Sequence, residues 1–272
     1  MPIATVNGVD LNYQLEGDGP ETLVLVNGLA DALESWDFQM PTLLEAGLRV
    51  LRFDNRGVGS SAAPAGPYSS RQLADDARAL VQQLDLGQVH LMGVSMGGMI
   101  AQEYALADPE GLSSLTLACT YAAPGPFCSR MFSLWGDLAP ALGVPFVMRD
   151  VSLWAFTVAF FSDRPGDAAA FEQDMADLDM SVEAYLAQLA VIQGHDATAR
   201  LGELSLPTLV LAGEQDILIP VSLSRELHSL VPDATWATVP GGHACLWEHP
   251  DPFNTAVVDF VGSHPTLSRR PA

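Results

Sequence analysis

The sequence contains no lysine. All 12 of its basic residues are arginine, against 33 Asp and Glu, and its net charge is −21 at pH 7. A surface this acidic repels phosphate backbones and anionic lipid headgroups, which excludes nucleic acid and membrane as expected partners. It also disfavours strongly anionic substrates, and its plainest consequence is solubility. Cysteine is scarce. Cys119, Cys128 and Cys245 are odd in number and lack metal-ligand spacing. Free thiols in a reducing compartment are therefore expected, with no disulfide framework and no metal. Long apolar runs are missing as well. The longest, Val151 to Phe161, falls short of the roughly 20 residues that span a bilayer. The opening Met1-Pro2-Ile3-Ala4-Thr5 has neither the basic region nor the apolar stretch of a secretion signal. These absences point to a cytoplasmic protein acting on a small molecule. None of them bears on oligomeric state.

Apolar residues make up 49% of the 272 positions, enough for one large α/β domain with room for an inserted lobe. The chain is organised around Val89-His90-Leu91-Met92-Gly93-Val94-Ser95-Met96-Gly97-Gly98. A β-forming run leads into glycines and then into a helical pattern. Gly93-Val94-Ser95-Met96-Gly97 matches G-x-S-x-G, in which a serine nucleophile stands on a sharp strand-to-helix turn. Bulk two residues to either side would collide with such a turn, so glycine fits at 93 and 97. The helix that follows aims its first N–H groups at whatever oxygen gains charge.

Strands and helices alternate on either side of this stretch. An Asn7-Gly8 turn joins two short strands. Thr22 to Val26 is a continuous apolar strand, followed by a helix carrying Trp36, Phe38, Met40, Leu43 and Leu44 and capped by Ser35. Arg49 to Asp54 is the next strand, with Asn55-Arg56-Gly57-Val58-Gly59-Ser60-Ser61 as its exit loop. A helix begins at Ser70, and Leu115 to Cys119 is a further strand. This rhythm predicts a doubly wound, mostly parallel sheet with helices on both faces. It stops near Tyr121. Helical stretches Cys128–Leu138, Pro145–Phe161, Asp167–Leu178 and Ser181–Ile192 then follow one another, with Asp167 and Ser181 as N-caps. Residues 122–194 are read as an all-helical cap, and 1–121 with 195–272 as the core. Strands resume at Pro207 to Gly213 and Ala234 to Val239. A helix from Pro252 to Val261 and a polar tail complete the chain.

A serine hydroxyl needs a base. Among six histidines, His243 stands out because Pro240-Gly241-Gly242-His243 is a glycine-rich loop just past a strand, where doubly wound folds place their sites. His90 reads as structural, His249 and His264 as surface residues, and His195 at the cap's exit is the other candidate. The base needs an orienting carboxylate, and both Glu214 and Asp216 follow a strand on a neighbouring loop. The order serine, acid, histidine is that of the α/β-hydrolases.

These segments resemble the α/β-hydrolase fold superfamily over the whole chain, and from about Gly194 to Pro250 the sequence is most similar to enol-lactonase-like and related small-molecule esterases. The resemblance selects Asp216 over Glu214. It implies a triad of Ser95, Asp216 and His243, an oxyanion hole from the backbone N–H groups of Leu29 and Met96, and no cofactor. Where the family usually has His-Gly, this chain has Asn27-Gly28. The hole uses backbone N–H groups, so that change is expected to reshape the pocket without abolishing activity. The cap is rich in aromatic residues, and Trp36, Phe127, Met131, Trp135 and Trp154 are the expected substrate contacts, lining a cavity for an acyl or alkyl group. Arg56 reads as structural. Arg130, Arg149 and Arg164 read as surface residues, any one of which would serve an enol-lactonase by binding a substrate carboxylate. The expected activity is hydrolysis of carboxylic esters or lactones through an acyl-enzyme. Alternatives are a cofactor-free haloperoxidase or perhydrolase, which the Gly-x-Ser-Met-Gly-Gly elbow resembles, and a non-catalytic ligand receptor on the same fold. Serine at 95 argues against dehalogenase and epoxide hydrolase chemistry, which uses an aspartate nucleophile.

Overall fold

The computed structural model describes residues 2–266; the end of the expected polar tail, residues 267–272, lies outside them. The chain forms β1 (Ile3–Val6), β2 (Val9–Glu16), β3 (Glu21–Val26), α1 (Met40–Glu45), β4 (Leu48–Phe53), α2 (Ser70–Gln83), β5 (Val89–Val94), α3 (Met96–Ala107) and β6 (Leu112–Ala118). Five helices follow without a strand: α4 (Pro126–Leu142), α5 (Val144–Ala155), α6 (Val158–Asp163), α7 (Pro165–Ala176) and α8 (Val182–Gly194). Then come β7 (Thr208–Gly213), α9 (Val221–Leu230), β8 (Thr235–Val239), α10 (Cys245–Glu248) and α11 (Pro250–Gly262).

The eight strands form one sheet in the order β1-β2-β4-β3-β5-β6-β7-β8. Its first two pairings, β1 with β2 and β2 with β4, are antiparallel, and the rest are parallel. The hairpin between β1 and β2 turns at Asn7 and Gly8, both at positive φ, as the Asn-Gly pair dictates. Side chains alternate across the pleat, and each central strand feeds two cores. Val24, Val26, Leu91 and Leu117 join one cluster with α2, α3 and the cap, whereas Leu23, Leu25, Met92 and Leu211 join another with α1 and α11. Helix α2 is amphipathic and starts at Ser69, whose side chain accepts the Gln72 N–H. Helix α3 is buried on nearly every side, which explains its even run of apolar and small residues.

Three local expectations are corrected. The single helix expected through Trp36 to Leu44 is a 3₁₀ turn, Leu33–Trp36, followed by a separate α1, and Ser35 caps neither. The cap has five helices where four were expected, because the stretch Pro145–Phe161 breaks at Phe156, which is extended. Thr157 then caps α6 by accepting the Phe160 N–H. Its own N–H and hydroxyl donate to buried Glu248 of the core, a tertiary bond that periodicity does not reveal. Asp167 is no N-cap; it lies inside the first turn of α7 and pairs with the true cap residue, Arg164. Ser181 does cap α8, accepting the Ala184 N–H.

The loop after β4 is held by a buried ion pair. The Arg56 guanidinium donates to both oxygens of Asp76 on α2, at 2.6 and 2.8 Å, and Asn7 donates to the same carboxylate. Burial raises Asp76 above the usual carboxylate range, while the Asn7 and Arg56 hydrogen bonds and the Arg56 charge oppose that rise. Asp76→Ala leaves the guanidinium buried without its partner. The expected cost is about 3–5 kcal/mol of unfolding free energy, measured by urea denaturation. A loss below about 1 kcal/mol would mean that the pair does not hold the loop.

Candidate active site

Ser95 sits between β5 and α3 with φ 55° and ψ −120°, a left-handed backbone that few side-chain-bearing residues adopt. The turn is held by the bond from Ser95 N–H to Ala118 O and by Thr120 Oγ1 donating to Ser95 O at 2.8 Å. The flanking glycines are steric necessities. A Cβ on Gly93 would stand 2.1 Å from Gly97 O, and one on Gly97 would stand 2.0 Å from Val26 O. The second contact presses the start of α3 against the end of β3, so the loop after β3 borders Ser95.

His243 follows β8 on a loop pinned at three points. Gly241 O accepts from Gln215 N–H, Ala244 N–H donates to Ala155 O, and Gly242 N–H donates to Glu248 Oε1. The His243 ring meets Asp216 through Nδ1 and Oδ2 at 2.9 Å. Asp216 is buried, and its other oxygen accepts the Ile219 N–H at 2.9 Å. Glu214 points elsewhere, accepting from the exposed Thr238 hydroxyl. Burial alone would lower the His243 pKa. The charge and hydrogen bond of Asp216, reinforced by Asp31, outweigh it and raise the ring to about 9.

Ser95, His243, Leu29 and Asp31 line one cavity beneath the cap. Most of its wall is apolar, from Phe132, Trp135 and Met148 on the cap to Met99, Leu218 and Trp247 on the core. Its volume is about 70 Å³, small beside typical ligand pockets of roughly 300–1,000 Å³. Met96, on the elbow itself, is fully buried and begins α3, so its N–H lies at a helix N-terminus.

A family model of the alpha/beta hydrolase fold matches residues 21–250. The chain belongs to that family. Along nearly its whole length this hydrolase-family chain is similar to a Variovorax paradoxus (strain S110) protein named "Putative carbamate hydrolase RutD", with 33% identity covering 92% of this chain and 96% of the relative. It is 29% identical to 3-oxoadipate enol-lactonase 2 of Acinetobacter baylyi, covering 93% of each. The enol-lactonase from Burkholderia xenovorans LB400 superposes with a TM-score of 0.87 at 29% identity, covering 95% of this chain and 99% of that one. Among the described residues no helix is long and apolar enough to cross a membrane.

Of the five side chains expected to touch substrate, Trp135 borders the cavity and four do not. Trp36 is fully buried beneath the β3 loop, where its indole N–H donates to Asn27 Oδ1. Asn27 also donates to Asp31 O at 3.0 Å, so the asparagine that stands in the usual histidine position shapes the loop from within. Phe127 is exposed and packs edge-on against Trp154, away from the cavity. Trp154 shares Asp150 with Trp135 through its indole N–H, and Met131 is buried in the cap's own packing. Sequence periodicity marks the faces of these helices without saying which face meets the core. No arginine lines the cavity among the described residues: Arg130 and Arg149 are exposed, and Arg164 pairs with Asp167 and donates to Glu248 O. His195, the other candidate base, is buried between Ser70 Oγ and Gln102 Oε1 at 3.0 and 3.2 Å, bracing the cap's exit against α2 and α3.

Three participants have no motif to announce them. Glu248 ties Gly242 of the histidine loop to Thr157 of the cap. Cys119 Sγ lies 3.5 Å from Cys245 Sγ and within 4.8 Å of the ligand atoms of Asp216 and His243. The bond to Cys245 and burial raise its pKa well above the usual thiol value, so it stays protonated. Asp31 lines the cavity, and burial raises its carboxyl to about 7 despite the opposing pull of His243 and of the Gly28 N–H.

Asp31 and His243 both bind protons more tightly in the folded chain than in the unfolded one. Folding stability from Asp31 is therefore lost as pH climbs from its ordinary value of 3.8 to about 7, and that from His243 is lost between 6.5 and about 9. Asp31→Asn removes the first of these losses. Its Tm relative to the parent is expected to rise between pH 4.5 and 7.5 in thermal melts; a constant difference across that range would place the titration elsewhere.

Proposed function

We propose that the protein is a serine hydrolase cleaving carboxylic esters or lactones with small, largely apolar acyl groups. One observation carries this reading: a serine in strained left-handed backbone shares an apolar cavity with a carboxylate-paired histidine. In the reaction, Ser95 Oγ attacks the substrate carbonyl while His243 Nε2 takes the hydroxyl proton. Asp216 accepts the hydrogen bond from Nδ1 and stabilises the imidazolium. The negative carbonyl oxygen sits against the N–H groups of Leu29 and Met96. The imidazolium returns its proton to the departing alkoxide, which leaves as an alcohol or, from a lactone, stays attached to the acyl chain. Water, deprotonated by His243, then attacks the acyl-enzyme. This releases the carboxylic acid and returns the proton to Ser95. The cavity's size favours short acyl chains.

Carbamate cleavage is the second reading. It uses the same attack on a carbonyl, and similarity to a protein named for carbamate hydrolysis favours it.

A serine-reactive organophosphonate is expected to add once, at Ser95, as read by intact mass and peptide mapping. The labelling rate should increase from pH 6 towards 9, because only neutral His243 accepts the proton. Asp216→Asn should lose on the order of ten-thousand-fold in kcat, as in the serine-protease precedent, and Glu214→Gln much less. Labelling at another serine, or a larger loss from Glu214→Gln, sinks the triad.

Substrate charge tests this reading further. Without a cavity arginine, and with Asp31 inside, a lactone bearing a carboxylate is expected to be the poorer of a matched pair. Steady-state kcat/KM at low and high salt measures it. A preference of more than about tenfold for the anion, roughly 1.4 kcal/mol, would overturn the neutral-substrate reading.

A further inference from the structure

The acyl-transfer reading leaves one carboxylate in the cavity without a task. Asp31 stands in the loop that follows β3, where Ala30 takes a positive φ of 62° and donates its N–H to Gln188 Oε1 of α8. Gln188 in turn donates to Arg56 O, so the loop is clamped between cap and core. The clamp folds the Asp31 side chain back over Gly28. An ideal Cβ on Gly28 would stand 2.6 Å from Asp31 Oδ2 and 3.7 Å from Ser95 Cβ. Carboxylate and serine therefore flank the same glycine, one residue from Leu29, whose N–H the proposed mechanism sets against the oxyanion. The Gly28 N–H is a hydrogen-bond partner of the Asp31 carboxylate, and a carboxylate has lone pairs for several donors. Asp31 lines an apolar cavity, where a donor brought against the carboxylate is rewarded.

We propose that Asp31 is a specificity-determining residue that accepts a hydrogen bond from an N–H or O–H of the substrate, borne on the atom next to the scissile carbonyl. The preferred substrates are then 2-hydroxy- or 2-amino-acyl esters and lactones, or carbamates, whose nitrogen occupies that position. Plain alkanoates leave the acceptor unmet. This inference rests on Ser95 being the nucleophile.

Phenyl butanoate and phenyl 2-hydroxybutanoate test it, each kcat/KM being divided by the ester's own rate of hydroxide hydrolysis. The parent enzyme is expected to favour the hydroxy ester by about tenfold or more, the usual scale for a hydrogen bond to a charged group. Asp31→Leu, which keeps the bulk and removes the acceptor, should bring the ratio to about one. Asp31→Asn, which retains one acceptor oxygen without the charge, should fall between. It should also move the acid limb of kcat/KM to lower pH. The groups around the His243 ring are Asp216, Asp31 and the protonated Cys119 thiol, so removing Asp31 takes away one of the two negative charges that stabilise the imidazolium. An unmoved acid limb and an unchanged ratio would assign Asp31 a purely structural part. A ratio near one in the parent enzyme overturns the proposal with no variant needed. If Asp31→Leu does not fold, Asp31→Asn and the parent ratio decide the matter. Failure of the hydrolase reading is distinguishable, since hydrolysis would then survive Ser95→Ala and the phosphonate would leave Ser95 unlabelled.

Discussion

The site depends on the absence of two Cβ atoms. Where β5 becomes α3, Gly93 meets Gly97 O and Gly97 meets Val26 O at about 2 Å from where a side chain would begin. Only glycine permits that approach, and three consequences follow. Ser95 is forced into a left-handed backbone at the apex of the turn. The N-terminus of α3 is brought to the end of β3. The loop after β3, with Leu29 and Asp31, closes against Ser95. A single methyl group at position 97 would push these elements apart, and Ser95, Leu29 and Asp31 would separate together.

The second constraint is low polarity. The cap lays aromatic and aliphatic side chains over the carboxyl ends of the strands, so each charge left inside is felt strongly by the others. Burial raises Asp31 towards neutrality and Asp216 raises His243 towards imidazolium. The first change takes a negative charge out of the cavity, and the second sets a positive ring against the Asp216 carboxylate. The same closure limits the space available to a substrate. Glu248 links this closure to the chemistry, because one carboxylate holds both the histidine loop at Gly242 and the cap at Thr157. An aromatic cluster of Phe156, Phe160, Phe171 and Trp247 packs across the same junction, with Phe156 and Phe160 stacked at 4.3 Å.

Much of the architecture was legible along the chain, for short-range reasons. Short continuous apolar runs mark the central strands, Asn7-Gly8 marks the hairpin, and the glycine spacing around Ser95 marks the elbow, because each signal is written into neighbouring residues. Errors gather where a distant group intervenes. The break at Phe156 and Thr157 answers to Glu248, some ninety residues away, and the split before α1 accompanies Trp36 turning inward to Asn27. Phe127 and Trp154 look like pocket residues by composition. They pair with each other on the cap's outer side because a helix with apolar residues on several faces does not say which one meets the core.

The sequence by itself determined the fold class, the position of the elbow and the order of serine, acid and histidine, since local stereochemistry and strand–helix rhythm require nothing from far away. The tertiary structure alone decided which cap side chains border the cavity and that Asp31 lies inside it. These are matters of burial and of approach across the fold. Asp31 shows the difference most clearly. In the sequence it is one more acid among 33, and only the loop pressed against Ser95 makes it the carboxylate that a substrate must satisfy.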